Sequence, residues 1–184
     1  MGGEKLMFFL PGFLISILTF PGVIVHEAAH AFFCRKFEAP ILEVKYFRFG
    51  NPAGYVIHGD PENFKGQFFI TMGPFIINSA LCVLFCSTAF LPVWVLKIDD
   101  PLSWFFYWLG LSIGMHAFPS TQDLKVLWRN APRHAKALDP WALLSLPLIF
   151  ILYPLNFLRV IWADLGYGIA IGVLGPLAIF RFLA

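Results

Sequence analysis

Between Lys65 and Lys97 the chain runs from Gly66 to Leu96 without one charged side chain. A helix needs ~20 apolar residues (range 17–25) to cross a bilayer, so this run is already longer than one crossing requires. Other uncharged stretches resemble it. Leu6 to Val25 is apolar and continues through a histidine motif to Cys34; Pro101 to Gln122, Pro140 to Leu158 and Leu165 to Phe180 follow. With 59% hydrophobic residues, 13% charged and a mean hydropathy of +0.74, the chain reads as an integral membrane protein. The expected fold is an all-α polytopic membrane protein of about five transmembrane helices. Pro74 and Pro92, near the two ends of the longest run, predict kinks there.

Between the first two spans, "ILEVKYFRFGNPAGYVIHGDP" places aromatic and β-branched residues on either side of "GNPAG". That pattern predicts a small β-hairpin. Open strand edges are not tolerated in lipid, so the hairpin belongs at the interface or against protein. No repeat, low-complexity stretch or linker interrupts the chain. Residues 1–184 therefore read as a single membrane-embedded domain, with a core at about 7–130 and two further spans at about 140–183. Cys34, Cys82 and Cys86 lie in or beside apolar runs without disulfide or zinc-ribbon spacing, and read as small buried hydrophobes. "MGGEKL" lacks the Ser or Thr at position 6 of a myristoylation signal. No cleavable leader is expected, because the first apolar run carries the histidine motif itself.

The basic residues orient the spans. With the N-terminus outside, Arg35, Lys36, Lys45, Arg48, Lys65, Lys125, Arg129, Arg133, Lys136 and Arg181 fall on the inner side, and Lys5, Lys97 and Arg159 on the outer. The positive-inside rule thus favours an outside N-terminus and a cytoplasmic C-terminus.

Within the first run, "HEAAH" spans His26 to His30. On a helix, His26 and His30 project from one face, ~5–6 Å apart at Cβ. Both imidazoles can then bind one tetrahedral zinc, with Glu27 as general base for a water. Ionisable residues in a span cost ~2.5 kcal/mol or more unless partnered, which favours function over an accident of composition. Zinc hydrolases of this kind use three protein ligands. The third has to come from Asp123, Asp60, Glu62, His58 or His116. His26 lies nine residues before Arg35, ~13 Å along a helix, so the pair sits near the inner end of its span. "GPFIIN" at the start of the second span and Asp123 at the inner end of the third fall at the same depth. His116 lies two helical turns before Asp123, on the same face if one helix persists through Pro119.

These residues resemble the site-2 protease family of intramembrane zinc metalloproteases. "HEAAH" is similar to the family's histidine motif, "GPFIIN" (residues 73–78) to its G-P-x-x-N element, and Asp123 to the aspartate that completes its metal site. The resemblance covers roughly residues 10–130. It departs from the family at Asp123, which follows "FPSTQ" and a single Pro119 rather than paired prolines, and precedes Leu124 without the family's Leu-Asp-Gly. It implies one Zn2+ ion held by His26, His30 and Asp123, with Glu27 as the catalytic carboxylate. Asn78 would contact the substrate backbone or stabilise the oxyanion. The implied activity is hydrolysis of peptide bonds in membrane-spanning substrate segments, near the cytoplasmic leaflet. The expected partners are a transmembrane protein or peptide substrate and the lipid bilayer, with no nucleic acid. The competing expectation is a non-proteolytic, zinc-binding membrane protein that holds partner helices without cutting them. A metal transporter fits less well, since the outer halves of the spans carry almost no polar residues.

Overall fold

A computed structural model describes residues 12–158 and 162–183. The chain is mostly helical, at 75%, with one small two-stranded antiparallel sheet. The elements are α1 (Gly12–Leu18), α2 (Phe20–Lys36), β1 (Ile41–Lys45), β2 (Tyr55–His58), α3 (Phe64–Phe90), α4 (Pro101–Met115), α5 (Thr121–Lys136), α6 (Pro140–Phe157) and α7 (Ala163–Leu183). Residues 6–11 of the first apolar run lie outside the described residues, as do Lys5 and Arg159 of the orientation argument.

The first apolar run is not one helix. Thr19 leaves helical geometry (φ −117°, ψ 31°), and its hydroxyl donates to the Ile15 carbonyl. A new helix opens at Phe20 with Pro21 in its first turn, where the missing N–H costs no hydrogen bond. The expectation for the second run holds in a modified form. α3 passes through Pro74 and then widens at Leu91–Val95 into a π-helical turn containing Pro92. There the Leu96 N–H reaches back to Leu91, one residue further than in an α-helix.

The third run departs most from expectation. α4 is capped by Asp100, whose side chain accepts from the Ser103 N–H, and it ends at Met115 instead of Gln122. Residues 116–120 break the chain around Pro119, and Ser120 caps the separate helix α5. The apolar character carries on across both breaks, which is why hydropathy alone joined what the backbone separates. Among the described residues, two helices are long and apolar enough to cross a membrane: Phe64–Val95, which is α3 with its π turn, and Ala163–Phe182 in α7. α2 and α4, at 17 and 15 residues, and the apolar part of α6 are shorter.

The expected hairpin forms. β1 and β2 pair antiparallel, with Val44 opposite Val56 and Lys45 opposite Tyr55, and an irregularity between Ile41 and Glu43. α2 packs against this sheet and against α3 and α4. Phe33 of α2 lies against Gly73, where a Cβ would stand 2.2 Å from its ring, so Gly73 permits the close approach of α2 to α3.

Phe33 and Cys34 of α2 bury with Ala39 and Ile70, and two further packed regions flank that junction. At one end Phe64, Phe68 and Met72 of α3 bury with Phe118, with Leu124, Leu127 and Ala131 of α5, and with Ala142, Ile149 and Leu152 of α6. At the other, α3, α4 and α7 interlock through small residues spaced four apart on each helix: Cys82 and Cys86, Gly110 and Gly114, Gly168 and Gly172. A Cβ at Gly110 would sit 2.6 Å from Cys86 Sγ, and one at Gly114 2.6 Å from Cys82 Sγ. Such small residues let helix backbones approach closely.

Candidate metal centre

α2 delivers three of the four chemically interesting side chains. His26 and His30 stand one turn apart, their ring centroids 4.9 Å apart and their planes at 73°. Each ring is held by a backbone carbonyl from another element. His26 Nδ1–H donates to the His116 carbonyl at 2.6 Å, and His30 Nδ1–H donates to the Ile70 carbonyl at 2.9 Å. A carbonyl only accepts, so each bond fixes the tautomer with its proton on Nδ1 and leaves Nε2 with a lone pair. That is the arrangement by which proteins orient ligating imidazoles.

Asp123 arrives from the first turn of α5. Ser120 and Asp123 form a reciprocal capping box: the Asp123 N–H donates to Ser120 Oγ at 3.1 Å, and the Ser120 N–H donates to Asp123 Oδ2 at 2.8 Å. The cap fixes the carboxylate, and Oδ2 lies 3.6 Å from His30 Nε2. This is too long for a hydrogen bond. It is close to the ~3.4 Å that separates two ligand atoms each ~2.1 Å from a tetrahedral ion. One ligand atom from each of His26, His30 and Asp123 falls within 4.8 Å of the others, and among the described residues this is the one His/Cys/Asp/Glu group able to hold a metal ion. Two neutral imidazoles and a carboxylate suit a divalent cation of intermediate softness.

The other expected ligands are elsewhere. His116 caps α4, and its ring turns to Thr19: the Thr19 hydroxyl spends its proton on Ile15, so His116 Nε2–H donates to Thr19 Oγ1 at 2.8 Å. His116 serves the site through its carbonyl rather than its imidazole. The break at residues 116–120 also removes the shared helix face on which His116 and Asp123 were expected. His58 ends β2 with Nδ1 on the Gly59 carbonyl, and Asp60 and Glu62 lie in the loop before α3, outside the cluster.

Glu27 is buried beside the histidines, at 9% exposure. The hairpin loop closes over it at Gly54, where a Cβ would stand 2.7 Å from Glu27 Cγ and 3.0 Å from Val23. Asn78 is fully buried on α3. Its Nδ2 lies 3.3 Å from the Gly22 carbonyl, 3.1 Å from that of Ile113 and 3.2 Å from that of His116, while Oδ1 finds no partner. Asn78 therefore ties α3 to both neighbours and touches the carbonyl that orients His26. Gly22 completes the junction, with its N–H on Ser112 Oγ at 3.2 Å.

The sequence reading missed the orienting carbonyls of Ile70 and His116, the Ser120 cap and the close approaches at Gly22 and Gly54. Only the cap had a signal, the Ser-x-x-Asp spacing at the start of an amphipathic stretch. Set beside known protein families, curated proteins and solved structures, the chain matches none of them.

Proposed function

We propose that the chain is an intramembrane zinc metalloprotease of the site-2 protease type, which hydrolyses peptide bonds in membrane-spanning segments. The observation that carries this reading is the pair of Nδ1-anchored imidazoles whose Nε2 atoms converge with the Asp123 carboxylate, one residue away from a buried glutamate. His26, His30 and Asp123 would hold the ion. Bound zinc supplies a Lewis acid that acidifies water and polarises a carbonyl. Glu27 accepts a proton from the attacking water and passes it to the amine released as the C–N bond breaks. Its burial under the hairpin loop keeps bulk water from competing for that proton.

The proposed topology has five spans, an outside N-terminus and a cytoplasmic C-terminus, with the site near the cytoplasmic leaflet. α3 and α7 cross outright; α2, α4 and α6 complete the bundle. Exposed apolar side chains on α3, α4, α6 and α7, including Ile76, Leu84, Phe105, Phe150 and Leu174, support a lipid surround. A substrate helix must unwind before its carbonyl can react. The two-stranded sheet beside α2 has edges on which an unwound segment can add as a strand, which satisfies its freed backbone groups.

A second reading, a zinc-holding membrane protein that binds partner helices without cutting them, draws support from Asn78. Its amide is committed to helix carbonyls and none of it is exposed, so it is not poised for a substrate. The deciding experiment reconstitutes the chain in liposomes with a transmembrane model substrate. Wild type should carry one zinc and cleave; Glu27→Gln should keep the zinc and lose cleavage; Asp123→Ala should lose both. Cleavage at the wild-type rate by Glu27→Gln would exclude the mechanism, and zinc without cleavage in wild type would favour the second reading.

A further inference from the structure

α5 sits between two apolar helices yet carries four exposed basic residues, Lys125, Arg129, Arg133 and Lys136. At 100° per residue they fall within an arc of about 80°. The buried residues Leu124, Leu127 and Ala131 occupy the opposite side, as does Asp123, the proposed metal ligand. None of the four is ion-paired with a carboxylate among the described residues. Exposed Trp128 flanks the stripe.

Its depth follows from α3. Phe64–Val95 comprises 32 residues, ~48 Å at 1.5 Å per residue, against a hydrocarbon layer of ~30 Å. The ~18 Å excess is shared between the two ends of α3, so its N-terminal turns reach into the headgroup layer. α5 runs antiparallel along that extension: Asn130 Nδ2 donates to Gln67 Oε1 at 3.1 Å, and His134 lies 4.9 Å from the Phe64 ring. The stripe consequently stands at the level of the headgroups, with its charges turned away from the protein.

We propose that this face of α5 is a docking surface for the anionic headgroups of the surrounding leaflet, and that lipid bound there steadies the helix that presents Asp123. Charge complementarity identifies the occupant: four unpaired cations at headgroup depth face a layer of phosphates, and an aromatic ring beside them suits the interface. The inference rests on the membrane reading above but not on proteolysis.

The test uses the full chain in liposomes of phosphatidylcholine alone or with about 30% phosphatidylglycerol. Lipid retained on the protein after gentle detergent extraction is counted by native mass spectrometry, and zinc affinity is read by chelator competition. Wild type should retain phosphatidylglycerol preferentially and bind zinc more tightly in the anionic liposomes. The preference should fall roughly fivefold for each of Lys125→Gln, Arg129→Gln, Arg133→Gln and Lys136→Gln as they are combined. Arg35→Gln with Lys36→Gln, which removes basic charge from the end of α2, should leave it unchanged. Equal retention of both lipids by wild type, or equal losses from the two sets of substitutions, would overturn the proposal while the membrane reading stands. Release of the wild-type chain by alkaline carbonate would overturn both.

Discussion

Replacing Asn78 by alanine separates two roles for this residue. Its two amide protons serve three carbonyls, those of Gly22, Ile113 and His116, from 3.1 to 3.3 Å away. A buried hydrogen bond contributes ~1 kcal/mol net, and a buried carbonyl left without a partner costs ~1–3 kcal/mol. The His116 carbonyl keeps the His26 N–H and the Ile113 carbonyl keeps the His116 N–H, so both losses fall at the low end of that range. Together these terms place Asn78→Ala ~2–4 kcal/mol below wild type in stability. Because His26 is aimed by the His116 carbonyl, zinc affinity should fall ~10–100-fold, the usual cost of disturbing a group behind a metal ligand. Asn78→Asp should be worse, because it turns a carboxylate oxygen toward carbonyl oxygens at similar distances. Thermal unfolding in detergent and zinc titration against a competing chelator measure both effects. Had Asn78 acted on the substrate alone, Asn78→Ala would retain stability and zinc affinity and lose only turnover. That outcome would refute the positioning argument.

Other expectations follow from single contacts. Gly22→Ala drives a Cβ to 2.0 Å from the Ser112 carbonyl oxygen and 2.6 Å from the His116 ring, a clash against backbone that rotamers cannot relieve; unfolding should show a loss of ~2–3 kcal/mol with weakened zinc binding. His116→Ala removes the bond to Thr19 but no ligand, so metal analysis should find zinc retained at a stability cost of ~1 kcal/mol. Leu138 follows α5 with φ 58° and is 77% exposed. Leu138→Gly relieves that left-handed strain and should raise the unfolding midpoint, by ~1 kcal/mol in stability.

How legible was this in the residues? The histidine pair was, because the four-residue spacing in "HEAAH" has one meaning on a helix. The hairpin was legible too, since "GNPAG" between β-branched runs leaves few alternatives. Asp123 could be placed by depth, but the way it is held could not: Pro119 gave notice of a break, and nothing in an uncharged run says that the helix stops at Met115. Hydropathy reports the environment and is blind to backbone interruptions that stay in that environment. The carbonyls of Ile70 and His116 were beyond reach for a plainer reason. Every residue owns a carbonyl, so no residue type announces one that aims an imidazole.

The interlock of α3, α4 and α7 has a mechanical consequence. Three backbones pressed together through glycine and cysteine leave no side-chain layer to slide or repack, so that side of the molecule moves as one body. If the chain acts as proposed, admission of a substrate helix would fall to elements that lie outside this clamp. The α1–α2 break at Thr19 and the hairpin, whose Gly54 lies against Glu27, are outside it.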